Sequence, residues 1–179
     1  NKQGIVGLWS FSYEKNKSLD EFYIEKISKD SSSSKSNLNI TRMHFNAYGN
    51  DFLACTQTGD LYLWSFEHIK NVKLPKIPLR NELFYSKDAC YLNNTGIIVS
   101  TNNKSERHKS MLWDLLYETK KGVGSVDIGG NLVLPYSKES GFVVANDKPG
   151  TVSFVDVRKM EVVQTYLCHD EEIKSIKIS

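Results

Sequence analysis

Residues 52–66 read FLACTQTGDLYLWSF. Two apolar runs of strand length, Phe52–Thr56 and Leu61–Phe66, flank the polar tripeptide Thr58-Gly59-Asp60, and that pattern predicts a β-hairpin. Gly59 can take a positive φ at no steric cost, and Thr58 and Asp60 are small and polar enough for the solvent side of a tight turn. Along the second run Leu61, Leu63 and Ser65 fall on one face and Tyr62, Trp64 and Phe66 on the other. Both faces carry apolar groups, so both are expected to be covered.

Weaker copies of the same stretch occur at residues 4–11, 97–116 and 142–157. Aligned on the residue five places after the turn glycine, Gly4 leads to Trp9, Gly59 to Trp64 and Gly150 to Val155, while Trp113 keeps the register with His108 at the glycine position. Successive anchors lie about 40 to 55 residues apart, the interval of a four-stranded propeller blade with loop insertions. Upstream of each hairpin is a run fit for an inner strand: Leu38–Phe45, Asp88–Leu92, Leu132–Tyr136 and Ile173–Ile178. Downstream of each anchor an outer strand is expected at Phe22–Ile27, Val72–Leu79, Val123–Ile128 and Val162–Leu167. The units are then 1–37 (the end of one blade and a serine-rich loop), 38–80, 81–130, 131–167, and 168–179 as the start of another blade. The expected fold is all-β, with about three to four four-stranded blades in an incomplete ring.

Leu112-Trp113-Asp114 and Phe154-Val155-Asp156 give the chain a resemblance to the WD-repeat family, which implies a β-propeller. Members of that family often carry an aspartate before the hairpin glycine, joined to a histidine in a hydrogen-bonded tetrad. Gln3, Thr58, Arg107 and Pro149 occupy the matching positions, so no complete tetrad is expected. A closer resemblance, to the C-terminal repeats of the rabconnectin-3 or DmX-like family, rests on ITRMHFNAYGNDFLACTQTGDLYLWSF, MLWDLL and GFVVANDKPGTVSFVDVRKMEVVQTYLCHDEEIKSIKIS. Asp156-Val157-Arg158 and Cys168-His169-Asp170 stand where that family has an Asp-Leu-Arg strand end and a Ser/Cys-His-Asp segment. The resemblance implies a non-enzymatic cytoplasmic scaffold that promotes assembly of the vacuolar proton-pumping ATPase. Its partners would be soluble pump subunits or assembly factors, with peripheral association at endosomal or vacuolar membranes through the complex. The alternative is a WD-repeat subunit of another machine, such as a vesicle coat or a ciliary transport complex.

A closed seven-bladed ring needs roughly 300 residues and the sequence has 179, so it is expected to be a piece of a larger protein. Three blades alone would leave a sheet edge open to pairing. Lys and Arg (23) nearly balance Asp and Glu (21), for a net charge of +2. The two signs are mixed along the chain, which speaks against a nucleic-acid partner. Apolar runs stop at strand length, short of the ~20 residues of a membrane span.

Cys55, Cys90 and Cys168 are too scattered for a zinc site or a disulfide framework. The first two are expected in the core and the third at a strand end, and a reducing compartment follows. His44, His68, His108 and His169 lack the partner sets of known catalytic or phosphate-binding motifs. No catalytic residue, cofactor or metal is therefore expected, and His169 with Asp170, Glu171 and Glu172 reads as a solvated loop. Trp9, Trp64 and Trp113 at equal register are expected to pack between neighbouring sheets. Asp114, Asp156, Gly59 and Gly150 complete the structural anchors. Partner contacts are expected on the rim, at Arg107 and His108 in the loop 102–110 and at His169 and Asp170. The serine-rich tract 29–37 has too little apolar content to pack, and Pro75 and Pro78 mark an edge or irregular strand.

Overall fold

The computed structural model describes residues 5–10, 20–26, 39–65, 85–92, 97–102, 108–115, 122–137 and 141–178. At 5–10, 20–26, 64–65 and 137 only the backbone is described. The expected outer strand at 72–79 with Pro75 and Pro78, the serine-rich tract 29–37, and Arg107 lie outside the described residues.

The fold is all-β. β1 (Ile5–Ser10) pairs with β2 (Asp20–Lys26), and β3 (Ile40–Phe45), β4 (Asp51–Thr56) and β5 (Leu61–Ser65) make a three-stranded sheet. Two four-stranded sheets follow in chain order. The first holds β6 (Asp88–Tyr91), β7 (Ile97–Asn102), β8 (Lys109–Asp114) and β9 (Gly124–Val126). The second holds β10 (Leu132–Ser137), β11 (Gly141–Ala145), β12 (Thr151–Asp156) and β13 (Glu161–Leu167). Every pairing is antiparallel between sequence neighbours, so each sheet is a meander of short hairpins. These sheets have the form of incomplete propeller blades.

Period-two alternation gives the β6–β9 sheet two apolar faces. In the β6–β9 sheet Ala89, Tyr91, Ile98 and Trp113 face one way and pack with Leu53, Cys55, Leu61 and Leu63 of β4 and β5. Their chain neighbours Cys90, Leu92, Val99 and Leu112, with Val126 and Ile128, face the other way and pack with Val133, Phe142, Val144 and Val155. Full burial of aliphatic and aromatic side chains of this size stabilises by about 1.5–3 kcal/mol each. The sheets thus stack in chain order through two apolar seams. Contacts between sheets fall on the first strands, β6 against β3, β4 and β10, and β7 against β10. Sheets that touch chiefly along their first strands are consistent with successive propeller blades.

Two expectations are corrected. Residues 173–178 form no strand; the segment is tied by Ile173 to a side chain, with no ladder partner beside it among the described residues, and a strand exists only where a neighbour supplies the hydrogen bonds. The turn of the quoted hairpin is open to solvent on one side only: Gln57 is exposed and Thr58 half-buried, but Asp60 is 3% exposed, because Tyr85 and Ser86 lie across Gly59, with the Ser86 N–H donating to the Gly59 carbonyl at 3.2 Å.

Candidate functional site

Two described turns between second and third strands, β4–β5 and β11–β12, are each covered by a later stretch of chain, the first by the approach to β6 and the second by the residues that follow β13. Gly59 (φ +82°) lies under Tyr85 and Gly150 (φ +74°) under His169. A Cβ at Gly150 would collide with the His169 carbonyl oxygen, so positive φ and close backbone approach both demand glycine there. Gly150 accepts hydrogen bonds from the N–H groups of Cys168 (2.9 Å) and His169 (3.2 Å). The same crossing recurs where Gly130 N–H donates to Thr101 Oγ1 at 2.8 Å. Beyond β13, Asn146 clasps Ile173: its Nδ2 donates to the Ile173 carbonyl and its Oδ1 accepts from the Ile173 N–H, each at 2.8 Å. These contacts bring the approaches to β6 and β10 and the segment beyond β13 against the sheets that precede them.

Beside these contacts opens a cleft of about 480 Å³. Its walls come from three consecutive sheets and the segment that follows the last of them: Thr41 and Arg42 on β3, Ser86 and Lys87 before β6, Asn131 and Leu132 at β10, and Glu172 to Lys174 beyond β13, with Thr56 and Gln57 from the β4–β5 turn. Most of the lining residues are of polar type, with Leu132 and Ile173 the apolar members, and polar and apolar atoms share its surface about equally. Glu172 is held by Lys174 (3.0 Å) and by the Asn131 side-chain amide (3.4 Å). Arg42 and Lys87 are both exposed.

Next in the chain to Lys87 is Asp88, 2% exposed. One oxygen meets His44 Nε2 at 3.1 Å and accepts from the Ala89 N–H at 2.9 Å, while the other accepts from the Val133 N–H at 3.0 Å. A single buried carboxylate therefore joins β3, β6 and β10, and its charge is matched by three partners. Burial first, and the Asp88 charge second, push the Cys55 and Cys90 thiols well above the usual range. Both are neutral and occluded, which makes them packing groups rather than nucleophiles. Tyr91 is likewise raised, by burial and then by Asp51.

Trp113 is 1% exposed and donates its Nε1–H to Ser100 Oγ at 2.8 Å. It packs toward the preceding sheet, and Val155, at the same register one repeat later, does the same. Trp9 and Trp64 fall in β1 and β5, and their side chains lie outside the described residues. Asp114 ends β8, and Asp156 ends β12, where its Oδ1 accepts from the N–H groups of Arg158 (2.8 Å) and Lys159 (3.2 Å) and so closes the turn into β13. Of the expected partner contacts, His108 pairs through Nδ1 with Asp147 Oδ1 at 3.3 Å, on the turn that also holds His169. His169 and Asp170 are exposed beside it. The structure thus gathers His108, His169 and Asp170 around the β11–β12 turn.

Two histidines read as lacking partners have aspartates far along the chain, His44 with Asp88 and His108 with Asp147. Sequence spacing carries no sign of either pair, nor of Ser100 beneath Trp113 or the grouping of Arg42 with Lys87. The alternation of faces in LNITRMHF was the available signal for Arg42, since it sets Arg42 apart from Met43 on an inner strand. Chemically the cleft can hold a polar, charged segment. Among the described residues no group of three or more His, Cys, Asp or Glu side chains is placed to hold a metal ion, and no helix is long and apolar enough to cross a membrane.

No family model matches the sequence. DmX-like protein 1 of Mus musculus is 23% identical over 150 residues, which is 79% of this chain and 5% of the mouse protein. The chain therefore spans about a twentieth of the length of the curated relative it matches.

Proposed function

We propose that this chain is a non-enzymatic WD-repeat scaffold, a sector of a β-propeller that holds protein partners during assembly or regulation of the vacuolar proton-pumping ATPase. The observation that carries the scaffold reading is the cleft whose walls come from three consecutive sheets and the segment beyond β13. Such a site exists only if the sheets are stacked, so rigidity of the disc and presentation of its rim are one property. The similarity to DmX-like protein 1 and the WD-like strand ends at Asp114 and Asp156 support the assignment to a large repeat protein of that kind. The proposed setting is the cytoplasm, with reduced cysteines, at endosomal or vacuolar membranes through the assembled pump.

Affinity capture of the full chain from cell extract, followed by identification of bound proteins, tests this. Reproducible recovery of soluble pump subunits or their assembly factors is the expected result. Recovery of vesicle-coat or ciliary transport subunits instead would sink the pump assignment and leave the scaffold reading standing.

A further inference from the structure

We infer that the cleft between the three stacked sheets seats an acidic stretch of a partner protein, whose carboxylates are held by Arg42 and Lys87. The inference deepens the scaffold reading and rests on it.

Three observations lead there. The first is charge. Three cations line the cleft, Arg42, Lys87 and Lys174, against one carboxylate, Glu172, and Glu172 already has Lys174 and Asn131 as partners. Among the described residues the heads of Arg42 and Lys87 make no ion pair or hydrogen bond. Asp88, next to Lys87, is no counter-ion for it, because both its oxygens turn inward to His44, Ala89 and Val133.

The second is placement. The β3–β4 ladder skips a register between Ile40 and Arg42, and a bulge of this kind re-aims a side chain at the rim of a sheet. Thr41 Oγ1 donates to the Cys55 carbonyl at 3.3 Å and fixes the bulge. Lys87 is fixed by its own N–H, which donates to the Thr101 carbonyl at 2.8 Å. Both backbones are therefore set before a partner arrives, which lowers the ordering cost of binding.

The third is the character of the walls. Small-molecule pockets are mostly apolar, whereas this cleft sets two exposed cations, Arg42 and Lys87, beside polar groups that are engaged within the chain, Thr41 with the Cys55 carbonyl, Thr56 within its turn and Asn131 with Glu172. Such a surface suits an extended peptide with acidic side chains. Asp170 and Glu171 are exposed on the neighbouring rim and repel that peptide, so it enters from the wall that carries Arg42 and Lys87.

The test measures binding of a labelled ten-residue Asp/Glu peptide to the full chain, beside a Gln/Asn peptide of equal length, phosphatidylserine vesicles and a single-stranded oligonucleotide. The expected result is selective binding of the acidic peptide, weakened by salt, and weakened at least about tenfold by the R42E/K87E double reversal. Lys148→Glu, on the β11–β12 turn, should leave it unchanged. Both reversed side chains are exposed, and an unaltered melting temperature of R42E/K87E, with the milder Arg42→Gln as a second variant, separates lost binding from lost fold. Equal peptide binding by the reversed protein, no peptide binding, or tighter binding of vesicles or oligonucleotide through the same residues would overturn the inference. If R42E/K87E still captures its partners from extract, the cleft assignment fails and the scaffold reading survives; if the unaltered chain captures none, the scaffold reading itself fails.

Discussion

Trp113 shows how one side chain combines area with direction. Its indole fills the seam between two sheets, and its single polar atom reaches Ser100 at 2.8 Å. Trp113→Phe should cost about 2–3 kcal/mol in denaturant unfolding, from lost area and from the stranded serine hydroxyl. Tyr91 is the contrast, since its buried hydroxyl has no partner among the described residues. Tyr91→Phe should leave stability unchanged or raise it by up to about 1 kcal/mol in the same assay. Gly150→Ala should be worse than either, because the new Cβ needs both an unfavourable φ and room taken by the His169 carbonyl. The anchors Trp113, Gly59 and Gly150 were legible in the sequence because indole and glycine are residue types with narrow uses. Ser100 was not, since a serine in a strand says nothing of what lies above it.

Among elements, the decisive join is Asp88, which connects three inner strands that are far apart in sequence. Asp88→Asn keeps the volume but replaces an acceptor oxygen with a donor amide, which must then face an N–H of Ala89 or Val133, or His44. A loss of about 1–3 kcal/mol in unfolding free energy is expected, the cost of leaving a buried hydrogen-bond donor without its acceptor. Asn146 supplies a second join. With Asn146→Ala the Ile173 amide loses its acceptor, and its hydrogen exchange, followed by mass spectrometry, should approach that of an unprotected amide while β11 stays protected. Strand positions were legible because runs such as LYLWS and TVSFVD combine strand length with alternation. The segment IKSIKI has the same look, yet forms no strand, because its ladder partner is not decided by its own residues. The buried turn at Asp60 escaped for a related reason: turn chemistry describes the hairpin, and only the crossing connection at Tyr85 decides what covers it.

For the whole molecule, stacking in chain order accounts together for the core, the cleft and a specific response to alkali. Burial holds Cys55, Cys90 and Tyr91 protonated in the folded state beyond their ordinary ranges. These groups ionise more readily in the unfolded chain, so the stability they contribute is complete below about pH 8.5 and declines as the pH rises past it. Denaturation midpoints measured from pH 7 to pH 10 should fall across that window, and Cys168, exposed beside the rim, should be the first thiol alkylated in the native protein. The account as a whole requires that the β6–β9 sheet be clasped on both faces. Methyl NOE spectroscopy on the full chain tests this most directly. Cross-peaks joining Ile98 to Leu53 or Leu63, together with cross-peaks joining Val99 or Leu112 to Val133 or Val144, are the predicted result; a folded protein that shows contacts within each sheet but none across either seam would contradict it.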